Sequence, residues 1–311
     1  MIRALILVAA ILISQVVASG TIITVANITD DNFAIATLNT DDKIFKVVKK
    51  IEYSLPDHQP IDGTVLCDNR YFLMFINDPK KVISFDINTN QHELILTEQA
   101  VASAQFVNGK LLAVTVDESI VELDCRSLKT KKVLTAKVPS KYVEQMKGTT
   151  KTNKHLVLSI TDTSVEGLPS TFVLVDSDNG DLKPVNNTCG YFADIQFDSK
   201  SNSNYGIAST LIHAEEAQDK LVRSNVYTGE CEVIVESLSK QLDIPHGNAI
   251  YGGIGYDSSE GEHGSYLFSV YDLERHKVST IFYDVDKKEV RLNVRLPGGT
   301  LGKAQFLKQE K

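Results

Sequence analysis

The 311-residue sequence contains no tryptophan, and its positive charge falls short of its negative charge. The absence of Trp argues against the repeat families whose units are marked by that residue. With 32 Lys and Arg against 40 Asp and Glu, the net charge is −8. Nucleic acids and anionic lipid surfaces bind clustered Lys and Arg, so this balance predicts neither a nucleic-acid partner nor adsorption to a membrane. A cationic protein or peptide fits the charge better.

Long apolar runs are also missing, except for one at the N-terminus. Arg3 is followed by the apolar stretch from Ala4 to Ile13 and then by small residues up to Gly20. This pattern predicts a signal peptide over residues 1–18, cleaved after Ala18 or Gly20, with a buried N-terminal strand as the alternative. The run is too short to span a bilayer, which needs about 20 apolar residues. We therefore expect a chain that is not inserted in the membrane and is secreted, or delivered to the lumen of a secretory or vacuolar compartment.

A strand-turn-strand unit recurs along the rest of the chain. Each copy has an alternating apolar strand, a polar turn rich in Asn and Asp, and a second alternating strand, which is typical of a β-hairpin. The equivalent turn positions are Thr37, Asp86, Asp124, Asp176, Asn225 and Asp284. Their spacing averages near 49 residues, and units of 40 to 50 residues with four short strands are the pattern of propeller blades.

A second landmark supports the same period. Gln105, Gln196 and Gln305 each sit between an apolar residue and a Phe, about two repeats apart. The N-terminal segment has three strand-like stretches, whereas Lys303 to Gln309 is a lone one. A blade completed by both termini explains this imbalance and leaves no open sheet edge. We predict an all-β propeller of six four-stranded blades over residues 21–311. Seven blades, or a two-sheet sandwich, are the alternatives.

The sequence resembles the six-bladed β-propeller superfamily in repeat length and closure, over nearly all of the predicted mature chain. The string Pro245-His246-Gly247-Asn248-Ala249 is similar to a turn of NHL-type and gluconolactonase-like propellers. In the metal-dependent members of that group, an asparagine in this turn faces a cation in the central channel. The matching position here is His246. The resemblance therefore implies a channel-facing position for His246. Asn248, in the same turn, and Asp194, in the strand that carries Gln196, are further candidates.

Cysteine is scarce but even in number, as expected for disulfides in an oxidising compartment. The residues are Cys67, Cys125, Cys189 and Cys231. Their wide spacing excludes a zinc knuckle or a CxxC redox pair. Three pairings are possible, and Cys189 with Cys231 is preferred because both fall within one repeat unit. Asn27 and Asn186 begin glycosylation sequons.

Acidic residues recur in the turns that join the second and third strands of each unit. They are Asp30, Asp31, Asp78, Asp117, Glu118, Asp162, Glu166, Glu215, Glu216 and Asp272. Such a ring would attract a cation, with calcium the best chemical match for oxygen ligands. Because Asp also caps turns by local hydrogen bonding, a structural role is the alternative. Asp117 and Asp162, together with His246, Asn248 and Asp194, are the predicted binding residues.

No catalytic motif accompanies these residues. The sequence has no Gly-x-Ser-x-Gly elbow, no His-Glu-x-x-His helix and no phosphate-binding loop. No catalytic residue is assigned, and the identity of any metal is left open. The sequence predicts a secreted binding protein that acts through the channel mouth. A divalent-cation-dependent hydrolase of lactonase or esterase type is the alternative.

Overall fold

Six four-stranded antiparallel sheets form the protein in the computed structural model. The structure describes residues 21–29, 32–39, 45–51, 61–76, 80–162, 164, 170–209, 220–245, 249–257, 264–275, 277–295 and 301–307. The innermost strands of the six sheets contact one another in cyclic order, so the sheets form a ring. The fold is a six-bladed β-propeller, as predicted, and the seven-bladed and sandwich alternatives are wrong.

In blades 2 to 6 the strands run from innermost to outermost in chain order, whereas blade 1 takes its innermost strand from the C-terminal end of the chain. Blade 1 contains β24 (Leu301–Leu307), β1 (Thr21–Thr29), β2 (Asn32–Asn39) and β3 (Phe45–Ile51), and blade 2 contains β4 (Ile61–Cys67), β5 (Tyr71–Ile76), β6 (Lys81–Asp86) and β7 (Gln91–Leu96). Blade 3 contains β8 (Val101–Val107), β9 (Lys110–Thr115), β10 (Ser119–Leu123) and β11 (Thr130–Lys137), and blade 4 contains β12 (Met146–Lys151), β13 (His155–Thr161), β14 (Ser170–Asp176) and β15 (Leu182–Asn187). Blade 5 contains β16 (Tyr191–Asp198), β17 (Ser203–Ser209), β18 (Lys220–Ser224) and β19 (Cys231–Val235), and blade 6 contains β20 (Ala249–Asp257), β21 (Ser265–Asp272), β22 (Lys277–Asp284) and β23 (Glu289–Arg295). Within the described residues the two α-helices are one-turn segments, α1 (Ser140–Glu144) and α2 (Leu238–Leu242).

The two termini complete blade 1, which confirms the predicted closure. Strand β1 pairs with β2 on one side and with the C-terminal strand β24 on the other. The recurrent turn positions lie within two residues of the end of the third strand in every blade. The three landmark glutamines lie at equivalent places, on the innermost strands of blades 3, 5 and 1. Gln105 Nε2 donates to the carbonyl of Thr149 in blade 4 at 3.2 Å, so this glutamine ties two blades together.

The core lies between neighbouring blades. Strand β13 buries Leu156, Leu158 and Ile160 against blade 3, whereas Val157 faces blade 5. Successive side chains of a strand point to opposite faces, and here both faces are covered by neighbouring blades. Burying a side chain of this size contributes about 1.5–3 kcal/mol. The middle strands therefore carry continuous apolar runs, whereas the outermost strands of blades 2 to 5 are largely exposed.

Two disulfides join segments of neighbouring blades. Cys189, in the connection that enters blade 5, bridges to Cys231 on the outermost strand of that blade, with Cα atoms 5.3 Å apart. This confirms the preferred pairing. Cys67, at the end of the innermost strand of blade 2, bridges to Cys125 in the last turn of blade 3, with Cα atoms 5.8 Å apart.

Candidate functional site

The antiparallel topology assigns every connection to one of two faces. Successive connections alternate between the two ends of a sheet. The turns joining second to third strands therefore share an end with the links between blades. We call this end the mouth face. The predicted acidic turns all belong to connections of this face.

Asp117 and Asp162 lie on the mouth face in adjacent blades. Asp117 is exposed in the β9–β10 turn of blade 3, where the Thr115 hydroxyl donates to its carboxylate. Asp162 directly follows β13 in blade 4. Both residues therefore occupy the predicted face, each in the turn of its own blade.

The Asp162 carboxylate is already engaged by its own chain. It accepts hydrogen bonds from the Ser164 hydroxyl and from the Ser164 backbone N–H at 3.1 Å, and Lys141 Nζ lies 3.2 Å away. These Ser164 and Lys141 contacts hold the pKa of Asp162 well below its usual range. Only 15% of the side chain is exposed. The group combines turn stabilisation with an internal ion pair.

Asp272 repeats this arrangement in blade 6. Its carboxylate accepts from the backbone N–H groups of Glu274 at 3.1 Å and Arg275 at 2.9 Å. The Arg275 guanidinium adds an ion pair at 3.3 Å. The Arg275 backbone hydrogen bond is the main cause of a lowered Asp272 pKa. The structural role considered for these turn residues therefore applies to both Asp162 and Asp272.

Helix α1 spans the gap between the acidic turns of blades 3 and 4. At its start, the Val138 N–H donates to the Glu118 carbonyl at 2.9 Å, and the Ser140 hydroxyl donates to the Glu118 carboxylate. At its end, the Thr161 N–H donates to the Gln145 carbonyl at 3.1 Å. The helix is therefore fastened to both blades by backbone and side-chain bonds.

This helix and the β9–β10 turn present a continuous set of exposed residues, which we call the α1 ledge. The ledge consists of Val116, Asp117, Pro139, Ser140, Lys141 and Glu144. Val116 is 53% exposed and contributes an apolar side chain to the ledge. On the inner side of the helix, Tyr142 and Val143 pack against the core between blades 3 and 4. The ledge is thus a mixed apolar and charged surface on a fixed support.

The other predicted binding residues are less fully placed. Asp194 belongs to β16, the innermost strand of blade 5, although its side chain is not among those described. His246 and Asn248 lie outside the described residues, in the link between β19 and β20. Of the acidic turn residues, Asp30, Asp31, Asp78, Glu166, Glu215 and Glu216 also lie outside them. Among the described side chains, no three of His, Cys, Asp or Glu are grouped as metal ligands. The predictions of a channel cation and of calcium stay predictions.

Two features of the structure were not predicted from the sequence. One is helix α1, whose only local signal is Pro139, a residue common at helix starts. The other is a basic stretch around β11. The net charge of the whole chain does not reveal this stretch, because acidic residues elsewhere outnumber its Lys and Arg. Counting charge per repeat unit would have found it. The predicted glycosylation residues are both on strands, Asn186 exposed on the outermost β15 and Asn27 on β1.

Comparison with known proteins adds information on the fold. No family model matches the chain, and no curated protein matches it in sequence. A chain in the crystal structure of a nidogen–laminin complex is similar, with a TM-score of 0.61, 10% identity, and coverage of 94% of this chain and 99% of that chain. TolB from Acinetobacter baumannii has a TM-score of 0.52 and 15% identity, and the match covers 93% of this chain and 66% of the TolB chain. Virginiamycin B lyase from Staphylococcus aureus has a TM-score of 0.50 and 12% identity, and the match covers 88% of this chain and 84% of the lyase chain.

These similarities establish the propeller architecture and nothing finer, because one fold supports unrelated functions. The similar structures include a protein–protein complex and an enzyme. Within the residues described here, no helix has the length and hydrophobicity to cross a bilayer. The two disulfides fit an oxidising environment.

Proposed function

We propose that this protein is a secreted or lumenal interaction protein that binds a protein partner through the mouth face, with the α1 ledge as its contact surface. The observation that carries the proposal is the way α1 is held. Bonds to Glu118 and Asp162 fix a solvent-exposed, partly apolar surface between two blades. A rigid surface loses little conformational entropy when a partner docks, which favours binding.

The partners of the described carboxylates support a protein-binding function rather than metal-dependent catalysis. A catalytic cation needs carboxylates that are free to coordinate it and converge on one point. Asp162 and Asp272 instead direct their oxygens to turn N–H groups and to Lys141 and Arg275. The nidogen–laminin complex offers a precedent, since a similar chain occurs there in a protein–protein assembly.

Site-specific photocrosslinking tests the proposal. A photoreactive phenylalanine analogue placed at Val116 would be irradiated in the secreted or lumenal fraction of the native source. The control places the same analogue at Thr89, which is exposed on the opposite face of blade 2. We expect an adduct from position 116 alone, suppressed by excess unlabelled protein. Equal adducts from both positions, or none from position 116, would overturn the proposal.

Secretion is tested separately by expression in a eukaryotic secretory host. We expect protein in the medium that starts after Ala18 or Gly20 and carries an N-glycan at Asn186, which the structure leaves exposed. Intact-mass measurement before and after glycosidase treatment, with Asn186→Gln as the control, reads both features. A chain that keeps residues 1–18 and stays in the cell would contradict this part of the proposal.

A cation-dependent hydrolase is the second candidate, because the Pro245–Ala249 turn resembles that of metal-dependent propellers and a structurally similar protein, named as a lyase, is an enzyme. Calorimetric titration with calcium and other divalent cations distinguishes the two functions. Tight one-to-one binding that is lost in His246→Ala would favour the hydrolase and justify assays with lactones and esters. Under the binding proposal we expect no saturable heat up to millimolar metal.

A further inference from the structure

Charge is distributed unevenly along this chain. From Cys125 to Val143 it has six Lys or Arg and not one Asp or Glu, although the whole chain has a net charge of −8. Exposed charges more than about 10 Å apart are largely screened at 0.1 M salt. A local cluster of cations can therefore attract an anion even on an acidic protein.

The fold places five of these cations on the outer side of blade 3. They lie in the turn after β10 and along β11, the outermost strand, and all five are exposed. We call this surface the blade 3 rim; it comprises Arg126, Lys129, Lys131, Lys132 and Lys137. Lys131, Val133 and Lys137 are all exposed along β11, whose register with β10 shifts on both sides of Val133. Val133 is 57% exposed between the two lysines.

The carboxylate of Asp124, which pairs with Lys131, is already satisfied within its turn. Asp124 accepts from the Ser127 backbone N–H at 2.8 Å and from the Ser127 hydroxyl at 2.9 Å, and Lys131 lies 3.3 Å away. These interactions lower the pKa of Asp124 to about 2, and the hydrogen bond from the Ser127 backbone N–H is the main cause. Lys132 reaches the Asp178 carbonyl of blade 4 at 3.2 Å.

The remaining cations of the rim are unpaired within the part of the chain that the structure describes. Arg126, Lys129 and Lys137 make no ion pair there. Protection of a sheet edge against unwanted pairing does not require this surplus. The outermost strands of blades 2 and 5 carry the acidic Glu93 and Glu232 instead.

We propose that the blade 3 rim binds a sulfated polysaccharide. A row of cations along an extended strand, spanning up to about 20 Å, matches a linear polymer with regularly spaced anionic groups. The ligand class follows from the two disulfides, which form and persist in oxidising compartments outside the cytosol, where sulfated polysaccharides are abundant and nucleic acids are not. The rim shares no residue with the α1 ledge, and heparin affinity is measured independently of photocrosslinking at Val116, so one proposal can fail while the other holds.

Heparin serves as the probe, with two charge-matched double variants of the full mature protein. Lys129→Gln with Lys137→Gln neutralises the rim. Lys46→Gln with Lys50→Gln removes two exposed lysines from the outermost strand of blade 1 and gives the same net charge. Affinity for heparin and for a DNA duplex is measured as a function of salt. Thermal unfolding checks that both variants remain folded.

We expect the rim variant to bind heparin roughly tenfold more weakly at 0.1 M salt and to show a shallower salt dependence, because fewer counterions are released. The blade 1 variant should bind like the wild type, and DNA should bind more weakly than heparin. Equal losses of heparin affinity in both variants would show that heparin is attracted by overall charge and not bound at the rim, and would overturn the proposal. Absence of heparin binding, or DNA binding as tight as that of heparin, would also overturn it.

Discussion

Side-chain oxygens at one recurrent position organise the turns on the face opposite the mouth. The Oδ1 atoms of Asp86, Asp124, Asp176, Asn225 and Asp284 accept backbone N–H groups two or three residues further on. Such bonds satisfy donors that a tight turn leaves without a partner, and they explain why Asp and Asn recur there in the sequence. Blade 5 shows that Asn is a sufficient acceptor at this position.

Substitutions of Asp176 separate its turn bonds from its charge. Its Oδ1 accepts from Asp178 N–H at 2.9 Å, and Lys154 Nζ lies 2.9 Å from Oδ2. Asp176→Ala removes both interactions and should cost about 1–2 kcal/mol in urea unfolding. Asp176→Asn keeps the turn acceptor, as Asn225 does, and should cost less than about 1 kcal/mol because surface ion pairs contribute little.

The same pair of variants has a defined pH dependence. The hydrogen bond from Lys154 is the main cause that lowers the Asp176 pKa to about 2 in the folded protein, below its value in the unfolded chain. Stability from the charged form is therefore complete above about pH 4 and is lost as the pH falls through about 2. The difference between wild type and Asp176→Asn should vanish over that window. A difference that persists unchanged at pH 2 would contradict the assignment.

Two glycines with the same backbone conformation should respond very differently to alanine. Gly229 and Gly109 have φ of +77° and +75°, a region that costs an L residue about 1–2 kcal/mol. A Cβ at Gly229 would sit 1.6 Å from the Asn186 carbonyl oxygen, whereas nothing lies within 4 Å at Gly109. Gly109→Ala should therefore cost about 1 kcal/mol and Gly229→Ala more than about 3 kcal/mol. Equal shifts in thermal unfolding would refute the close approach of blades 4 and 5.

Among the strands, the outermost ones differ in composition from the rest because they have an unpaired edge. Lys131 and Lys132 lie on β11, and Pro184 on β15 lacks the N–H that an edge could offer to another chain. Charged residues and proline are the usual protection of exposed edges. The middle strands need no such protection, and their near-continuous burial reflects packing on both faces.

Each disulfide should stabilise the ring independently. Cys189–Cys231 closes 42 residues and Cys67–Cys125 closes 58, and loop lengths this similar predict similar contributions of about 2–4 kcal/mol. Double serine variants of either pair should lose that amount in urea unfolding. Because the bridges lie in different pairs of blades, the two losses should add. A reductant should destabilise the wild type but have no further effect once both pairs are replaced.

The stability of the whole ring depends on closing blade 1 with strands from both ends of the chain. The register of β24 with β1 places Gln305 opposite Ile23, and Ile23 is buried against blade 2. Removing β24 would expose an edge of β1 and open the cyclic contact of the innermost strands.

Truncation tests this dependence. Deleting residues 301–311 should abolish cooperative unfolding and expose apolar surface to a hydrophobic dye. Deleting only residues 308–311, which follow β24, should leave the unfolding midpoint within about 2 °C, since the pairing of β24 with β1 is retained. A stable, cooperative protein after the longer deletion would show that closure is dispensable.

Much of this architecture could be predicted from the order of residues along the chain. The repeat near 49 residues follows from short-range pattern, and assigning strands and cysteines to that repeat predicts the closure of blade 1 and the Cys189–Cys231 pair. Strand alternation and turn chemistry are local, so the sequence records them directly. The turn role of Asp was weighed for the same reason, and it is the role that Asp162 and Asp272 have.

Other properties required the folded ring, because they depend on residues from different blades meeting across an interface. The bonds of α1 to Glu118 and Asp162, and the approach of Gly229 to Asn186, join segments about 20 to 40 residues apart. Their partners are selected by the tilt and packing of neighbouring sheets, which no local pattern encodes. The exposure of the rim lysines is of the same kind: composition shows that the charge exists, and the position of β11 at the outside of blade 3 presents it to solvent.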